Sequence, residues 1–187
     1  MFGVCYYPEH WPASQWQEDA QMMVELGLTY VRIGEFAWSK IEPSPGELNF
    51  NWLDEAILTL SNAGLKVILG TPTATPPKWL IDQHPDILPV DPNTGLIRGF
   101  GSRRHYDFSS EVYLQESIRI TQALAARYGA HSDVVGWQTD NELCCHDTTL
   151  SGSANALRGF QTWCRDRYQS IEQLNSDWGN VFWSMDY

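Results

Sequence analysis

The sequence predicts an α/β fold, a parallel sheet covered by helices, in the form of the first four β/α units of a TIM (β/α)8 barrel, truncated after the fourth. Three observations carry this. Short apolar runs alternate with amphipathic stretches through the whole chain, which is the pattern of a parallel sheet with helical crossovers. The turn after the first run reads Pro8-Glu9-His10-Trp11-Pro12, without the glycines that a doubly wound nucleotide-binding sheet places there. The long segments follow the second, third and fourth runs while the returns from helix to strand are short, which is how a barrel arranges its functional loops. A complete barrel needs about 250 residues. The 187 residues here supply four units, so residues 1–187 are expected to be one partial domain, the N-terminal half of a barrel.

Each element has a local reason. Gly3–Tyr7 is the first strand candidate, and Ser14 with Gln17 forms a capping box for the helix that follows. Trp16, Ala20, Met23 and Val24 share a face of that helix, and Gly27 closes it. Tyr30–Ile33 is the second strand. After a loop over Glu35–Asn49, Asn51 is the expected N-cap of a helix whose stripe is Leu53, Ala56, Ile57 and Leu60, ended by Gly64. Lys66–Gly70 is nearly all apolar, as a buried parallel strand should be. Thr71–Phe108 is rich in Pro, Gly and Asp and is expected to hold one short helix near Pro77–His84. Ser109 or Ser110 caps a longer helix to about Tyr128, with Leu114, Ile118, Thr121, Ala125 and Tyr128 on one side. Val134–Gln138 is the fourth strand. A helix over Ala154–Tyr168 should turn Leu157, Phe160 and Cys164 inward, and Ser170 with Gln173 repeats the capping box before a last short helix.

Composition narrows the partners. Twelve Lys and Arg against 23 Asp and Glu give a formal charge of −11, which disfavours nucleic acid and anionic membranes. Of nine Trp, eight Tyr and seven Phe, core filling accounts for most, and the remainder lend mild support to a carbohydrate cleft, since Trp and Tyr faces suit sugar C–H surfaces. The first residues lack the basic start and apolar run of a signal peptide, and no segment reaches the roughly 20 apolar residues of a membrane span. Cys5, Cys144, Cys145 and Cys164 match no disulfide framework. The expectation is a cytoplasmic protein, with Cys5 and Cys164 as small core residues.

The sharpest motif is Gly136-Trp137-Gln138-Thr139-Asp140-Asn141-Glu142, which runs off the C-terminal end of the fourth strand. In a barrel that end is the catalytic face. Glycosidic cleavage needs one acid to protonate the leaving oxygen and one carboxylate across the ring. Glu142 suits the acid, given desolvation by Trp137 and other aromatics to hold its proton. Asn141 can bond a sugar hydroxyl; the less favoured alternative is that the pair simply caps the next segment. Glu9 and His10, after the first strand, either line the same rim or satisfy each other, and Glu35 is similarly placed. Cys144-Cys145-His146-Asp147 lacks the ligand spacing of a structural zinc site, so no metal and no cofactor is expected.

A wider set of pieces, in order along the chain, resembles glycoside hydrolase family 42. They are Gly3-Val4-Cys5-Tyr6-Tyr7-Pro8-Glu9-His10-Trp11, Val31 to Ser39, Glu42 to Gly46, Thr71 to Leu80, Gly101 to Tyr106, Trp178-Gly179 and Phe182-Trp183-Ser184. The resemblance implies a retaining β-galactosidase that removes terminal non-reducing β-D-galactose by double displacement. Glu142 matches the proton donor, Asn141 a residue bonding the galactosyl ring, Arg103 a galactose-binding arginine and Trp183 a pocket tryptophan. The family nucleophile is a Glu at the end of the seventh strand, which no residue of this chain matches. The positions around Asp107 and Ser151–Ala156, where some members carry zinc-binding cysteines, hold no Cys. The implied partner is a galactoside, and the implied full-length parent can be a homo-oligomer. The chain alone is expected to be inactive, and the alternatives are a non-catalytic galactose-binding fragment or one half of a split barrel enzyme.

Overall fold

The computed structural model describes residues 2–101, 105–143, 150–180 and 186. Strands β1 (Gly3–Cys5), β2 (Tyr30–Ile33), β3 (Lys66–Gly70) and β4 (Val134–Gln138) form one sheet in the order β1-β2-β3-β4. Every pairing is parallel. Between the strands lie helices α1 (Ala13–Glu25), α2 (Trp38–Ile41), α3 (Asn51–Asn62), α4 (Lys78–Gln83) and α5 (Glu111–Tyr128). After β4 come α6 (Ala154–Arg167) and α7 (Ile171–Trp178). Sequential strand order with helical crossovers is the barrel arrangement, and no doubly wound reversal occurs among the described residues.

The register explains which side is buried. Val31 pairs with Val67, and Ile33 with Leu69. All four are essentially inaccessible, because α1 and α3 cover that face. The same core takes in Trp16 and Ala20 of α1 and Leu53, Ala56, Ile57 and Leu60 of α3. Each such aliphatic side chain contributes roughly 1.5–3 kcal/mol by leaving water. The opposite face carries the in-register layer Cys5, Arg32, Ile68 and Gly136. It is open: a groove of about 310 Å³ lies along Gly3, Cys5, Tyr30, Arg32 and Ile68. Cys5 is therefore exposed, contrary to the core role expected for it, whereas Cys164 is buried.

Several local expectations shift. α1 begins at Ala13 with Pro12 as N-cap and no side-chain cap, because proline's fixed φ already suits a helix start. Ser14 thus falls inside the first turn. Asn51 is the first residue of α3 and follows Phe50 as N-cap, with Asn49 Oδ1 accepting from its N–H. On α5, Ser110 is the cap, accepting from the Tyr113 N–H at 3.3 Å. The buried residues are Tyr113, Ile120, Leu124 and Tyr128, while Leu114 and Ile118 are exposed. On α6, Leu157 and Phe160 are exposed and only Cys164 turns in. Half of the second capping box forms: Ser170 accepts from the Gln173 N–H at 3.2 Å, while the Gln173 side chain donates to Asp177 at 2.7 Å instead of closing the box; Gly179 ends α7 at φ +73°.

Candidate active site

Because the strands are parallel, their C-terminal ends share one rim. It collects Tyr7–His10 after β1, Gly34–Glu35 after β2, Thr71–Thr73 after β3 and Thr139–Glu142 after β4.

The last of these is a strained turn. Asp140 and Glu142 both have positive φ, +55° and +48°. Left-handed backbone at a non-glycine residue costs on the order of 1 kcal/mol or more and persists only where neighbours over-determine it. The neighbours are visible. Asp140 donates its N–H to Thr71 Oγ1 at 2.8 Å. Its carboxylate accepts from Thr73 Oγ1 at 2.8 Å, Tyr106 OH at 3.0 Å and, at 3.4 Å, Tyr113 OH. The same carboxylate also accepts from the Asn141 N–H at 2.7 Å. Tyr106 and Tyr113 are stacked 4.6 Å apart. Burial, ahead of nearby Tyr106 and Asp140, pushes the Tyr113 phenol far above its ordinary value, so it stays a donor. Asp140 thereby fastens the end of β4 to the end of β3 and the start of α5, and holds the Asn141–Glu142 pair in one conformation.

Asn141 is buried and Glu142 is exposed. Trp137 does not shield Glu142: it is in register with Leu69, on the helix-facing side of the sheet, and is itself 38% exposed. The desolvation expected from Trp137 is not supplied in this segment. Arg103, Trp183 and the Cys144–Asp147 run lie outside the described residues.

The other acidic candidates divide clearly. Glu35 is fully buried and paired with Arg32, Nη2 to Oε1 at 2.7 Å. Gly70 makes room for it, since a Cβ there would stand 2.6 Å from Glu35 Cβ. Glu42 is fully buried as well. It accepts from Trp38 Nε1 at 3.0 Å, the Gly46 N–H at 2.8 Å and Arg119 Nη2 at 2.7 Å. With Arg119 it forms an ion pair whose carboxylate is fully buried. Glu9 differs: neither carboxylate oxygen has a hydrogen-bond partner among the described residues, and burial raises its pKa. His10 does not pair with it; its ring stacks on Tyr7 at 5.5 Å.

Two residues that sequence reasoning passed over belong to the site. Arg32 Nη1 donates to Gln138 Oε1, and Gln138 Nε2 donates to the Asp140 carbonyl at 2.8 Å and to Asn141 Oδ1 at 3.2 Å. The available signal was a polar residue at an inward position of two otherwise apolar strands. Away from the rim, Asp107 is buried and accepts from the Ser109 N–H at 2.9 Å and from Ser151 Oγ and Ser153 Oγ. That cluster closes on itself through hydroxyls, and no group of three or more His, Cys, Asp or Glu side chains that could hold a metal ion occurs among the described residues.

Comparison with known proteins now bears on this geometry. The sequence model of glycoside hydrolase family 42, described as beta-galactosidase, matches residues 5–187. The chain belongs to glycoside hydrolase family 42. A β-galactosidase of Thermus thermophilus is 58% identical over 187 residues, which cover 100% of this chain and 29% of that relative. A β-galactosidase of Halorubrum lacusprofundi is 49% identical across 99% of this chain and 26% of its own length. Among solved structures, β-galactosidase from the psychrophilic Marinomonas ef1 superposes with a TM-score of 0.95 at 59% identity, covering 100% of this chain and 28% of that one. The catalytic domain of a β-amylase from Paenibacillus polymyxa aligns with a TM-score of 0.70 at 12% identity, a likeness of fold alone. The family 42 segment thus spans less than a third of the relatives it matches. No helix among its described residues is long and apolar enough to cross a membrane.

Proposed function

We propose that residues 1–187 are the N-terminal half of the catalytic barrel of a retaining β-galactosidase, with Glu142 as its acid/base carboxylate. The observation that carries this is the clamped Asn141–Glu142 turn at the C-terminal end of β4, in a chain of family 42. The substrate is a terminal non-reducing β-D-galactoside. Asn141, Arg103 and Trp183 bind the galactosyl unit, the last two by family resemblance. Glu142 protonates the departing oxygen and then activates water for the second displacement.

The nucleophile comes from residues beyond this segment. Retention needs two carboxyls about 5–5.5 Å apart. Glu35, Glu42 and Asp140 are committed to Arg32, Arg119 and the turn clamp respectively. Glu9 follows β1, three strand spacings from β4, roughly 14 Å along the sheet. The site on this segment is therefore half a site. The unpaired Cys5 and Cys164 fit a cytoplasmic, reducing setting, the net charge of −11 fits a neutral sugar ligand, and a homo-oligomeric parent is compatible with the family.

The test is Glu142→Gln in the complete enzyme carrying this segment, assayed on a natural galactoside beside a nitrophenyl galactoside. Loss of the acid should lower kcat on the natural substrate by about 10²–10⁴-fold. It should do much less to glycosylation with the activated leaving group, which needs no proton. A wild-type rate on the natural galactoside would sink the assignment.

A further inference from the structure

Asp107 is a fixed post. Its N–H donates to the Ile87 carbonyl at 2.6 Å, and its own carbonyl accepts from the Ser110 N–H at 3.0 Å. Ile87 and Ser110 are both buried, so the post stands in packed surroundings. The buried carboxylate has a separate task for each oxygen. Oδ1 accepts from the Ser109 N–H at 2.9 Å, just ahead of α5. Oδ2 accepts from Ser153 Oγ and, at 3.3 Å, from Ser151 Oγ, just ahead of α6.

A serine hydroxyl has one hydrogen and two lone pairs. Both hydroxyl hydrogens go to Asp107, which leaves the lone pairs for main-chain donors. Ser153 Oγ accepts from the Ala156 N–H at 2.9 Å and so caps α6. Ser151 Oγ accepts from the N–H groups of Val90 and Ser153 at 3.2 and 3.3 Å. The Gly152 N–H donates to the Val90 carbonyl at 2.8 Å, and a Cβ on Gly152 would stand 3.0 Å from Pro92 Cα. Residues 151–153 are thus held by side chain, main chain and close approach at once.

The residue before Asp107 is Tyr106, whose OH donates to Asp140 Oδ1 at 3.0 Å. Two consecutive residues therefore grip the chain immediately before and immediately after residues 141–150, the stretch that carries Glu142. The left-handed backbone of Glu142, φ +48°, lies inside that stretch. Such a conformation persists only where its surroundings over-determine it. The Asp140 clamp holds it from one side, and the Asp107 ties hold the stretch from the other.

We infer that Asp107 is a positioning residue, which anchors the far end of the Glu142 stretch through Ser151 and Ser153 and so keeps the Glu142 carboxyl in place against the leaving oxygen. The inference rests on the proposed acid role of Glu142 and adds the tie that holds the acid still. Asp107 acts only through the chain it anchors.

The readout is a ratio, kcat/KM on lactose over kcat/KM on a nitrophenyl galactoside, measured in the complete enzyme. This constant covers the steps up to departure of the leaving group, and of the two substrates only lactose needs the proton. Loss of folded enzyme or a weaker grip on galactose lowers both values alike and cancels. A displaced acid lowers the lactose value alone. Asp107→Ala should cut the ratio about tenfold or more, since a misplacement of about 1 Å in a catalytic group can cost about 100-fold. Ser151→Ala and Ser153→Ala keep Asp107 and its hold on α5, and should cut the ratio by a smaller factor; they carry the test if Asp107→Ala does not fold. Ser170→Ala removes a cap of the same kind from α7 and should leave the ratio unchanged. A ratio unchanged in the Asp107, Ser151 and Ser153 variants, with both substrates slowed alike, would overturn the inference, as would an equal fall in Ser170→Ala. Glu142→Gln run alongside separates the two readings. A large fall there with none in the Asp107 and serine variants removes the positioning role and leaves the acid standing; no fall in Glu142→Gln removes the acid and the inference with it.

Discussion

Glu42 and Glu9 show how differently one residue type can be housed. Glu42 is buried with its charge matched, and Arg119 supplies the matching cation. Arg119→Met leaves a buried carboxylate without its partner, a change that costs about 3 kcal/mol or more. Urea unfolding should show the unfolding free energy fall by that amount, with a correspondingly lower midpoint, and Glu42→Gln together with Arg119→Met should recover part of it. Glu9 is the reverse case, a buried carboxyl with no hydrogen-bond partner among the described residues and a pKa raised chiefly by burial. Its folded-state pKa lies above its unfolded one. The stability tied to its neutral form is therefore whole below the ordinary Glu value and is lost as pH rises through the raised value. Glu9→Gln should melt higher than wild type near neutral pH, with the gap closing as pH falls below about 4.5; melting curves that stay parallel from pH 4 to 8 would contradict this. At this scale the strand-end position of the Asn141–Glu142 pair was legible in the sequence, because polar residues there break an apolar run, whereas the positive φ of Asp140 and Glu142 was not. Arg32 and Gln138 were not, because a polar residue within a strand reads the same whether it meets water or a partner across the sheet.

The strands were legible almost to the residue. β2, β3 and β4 are short, apolar and bounded by turn residues, so periodicity and punctuation agree. Helix faces were harder. α5 carries two apolar stripes, Leu114 with Ile118 and Tyr113 with Ile120 and Leu124, and only tertiary packing decides that the second one is buried. α6 repeats the problem with Leu157 and Phe160. Glycines within the strands separate in a testable way. A Cβ on Gly70 would lie 2.6–2.9 Å from Glu35 Cβ, Cα and N, whereas one on Gly136 would meet Ile68 at 3.7 Å, ordinary contact. Gly70→Ala should therefore lower stability by about 1–3 kcal/mol with the denaturant slope unchanged. Gly136→Ala should stay within about 0.5 kcal/mol of wild type. Equal losses would mean that the approach of β2 to β3 at Glu35 is not what the glycine serves.

At the scale of the molecule, β1 pairs only with β2 and β4 only with β3 among the described residues. Both outer edges carry unpaired backbone groups, a liability in an isolated sheet. The exposed apolar side chains Phe2 and Val4 at one edge and Val135 and Trp137 at the other mark surfaces that a closed barrel would cover. That the chain would make half a barrel was legible from the number of β/α units; the openness of its inner face, with Cys5 in the open, was not, because burial depends on strands that 1–187 does not contribute. The proposed chemistry divides the same way, with Glu142 as the proposed acid on this segment and its proposed counterpart elsewhere. Residues 1–187 alone should show no hydrolysis, and joining them to the remaining units should restore it. The most direct measurement is lactose hydrolysis by that completed barrel with Glu142 intact and with Glu142→Gln. Turnover is expected in the first and a loss of at least about 100-fold in the second; equal turnover in both, or hydrolysis by residues 1–187 alone, would overturn the assignment of Glu142 and of the divided site.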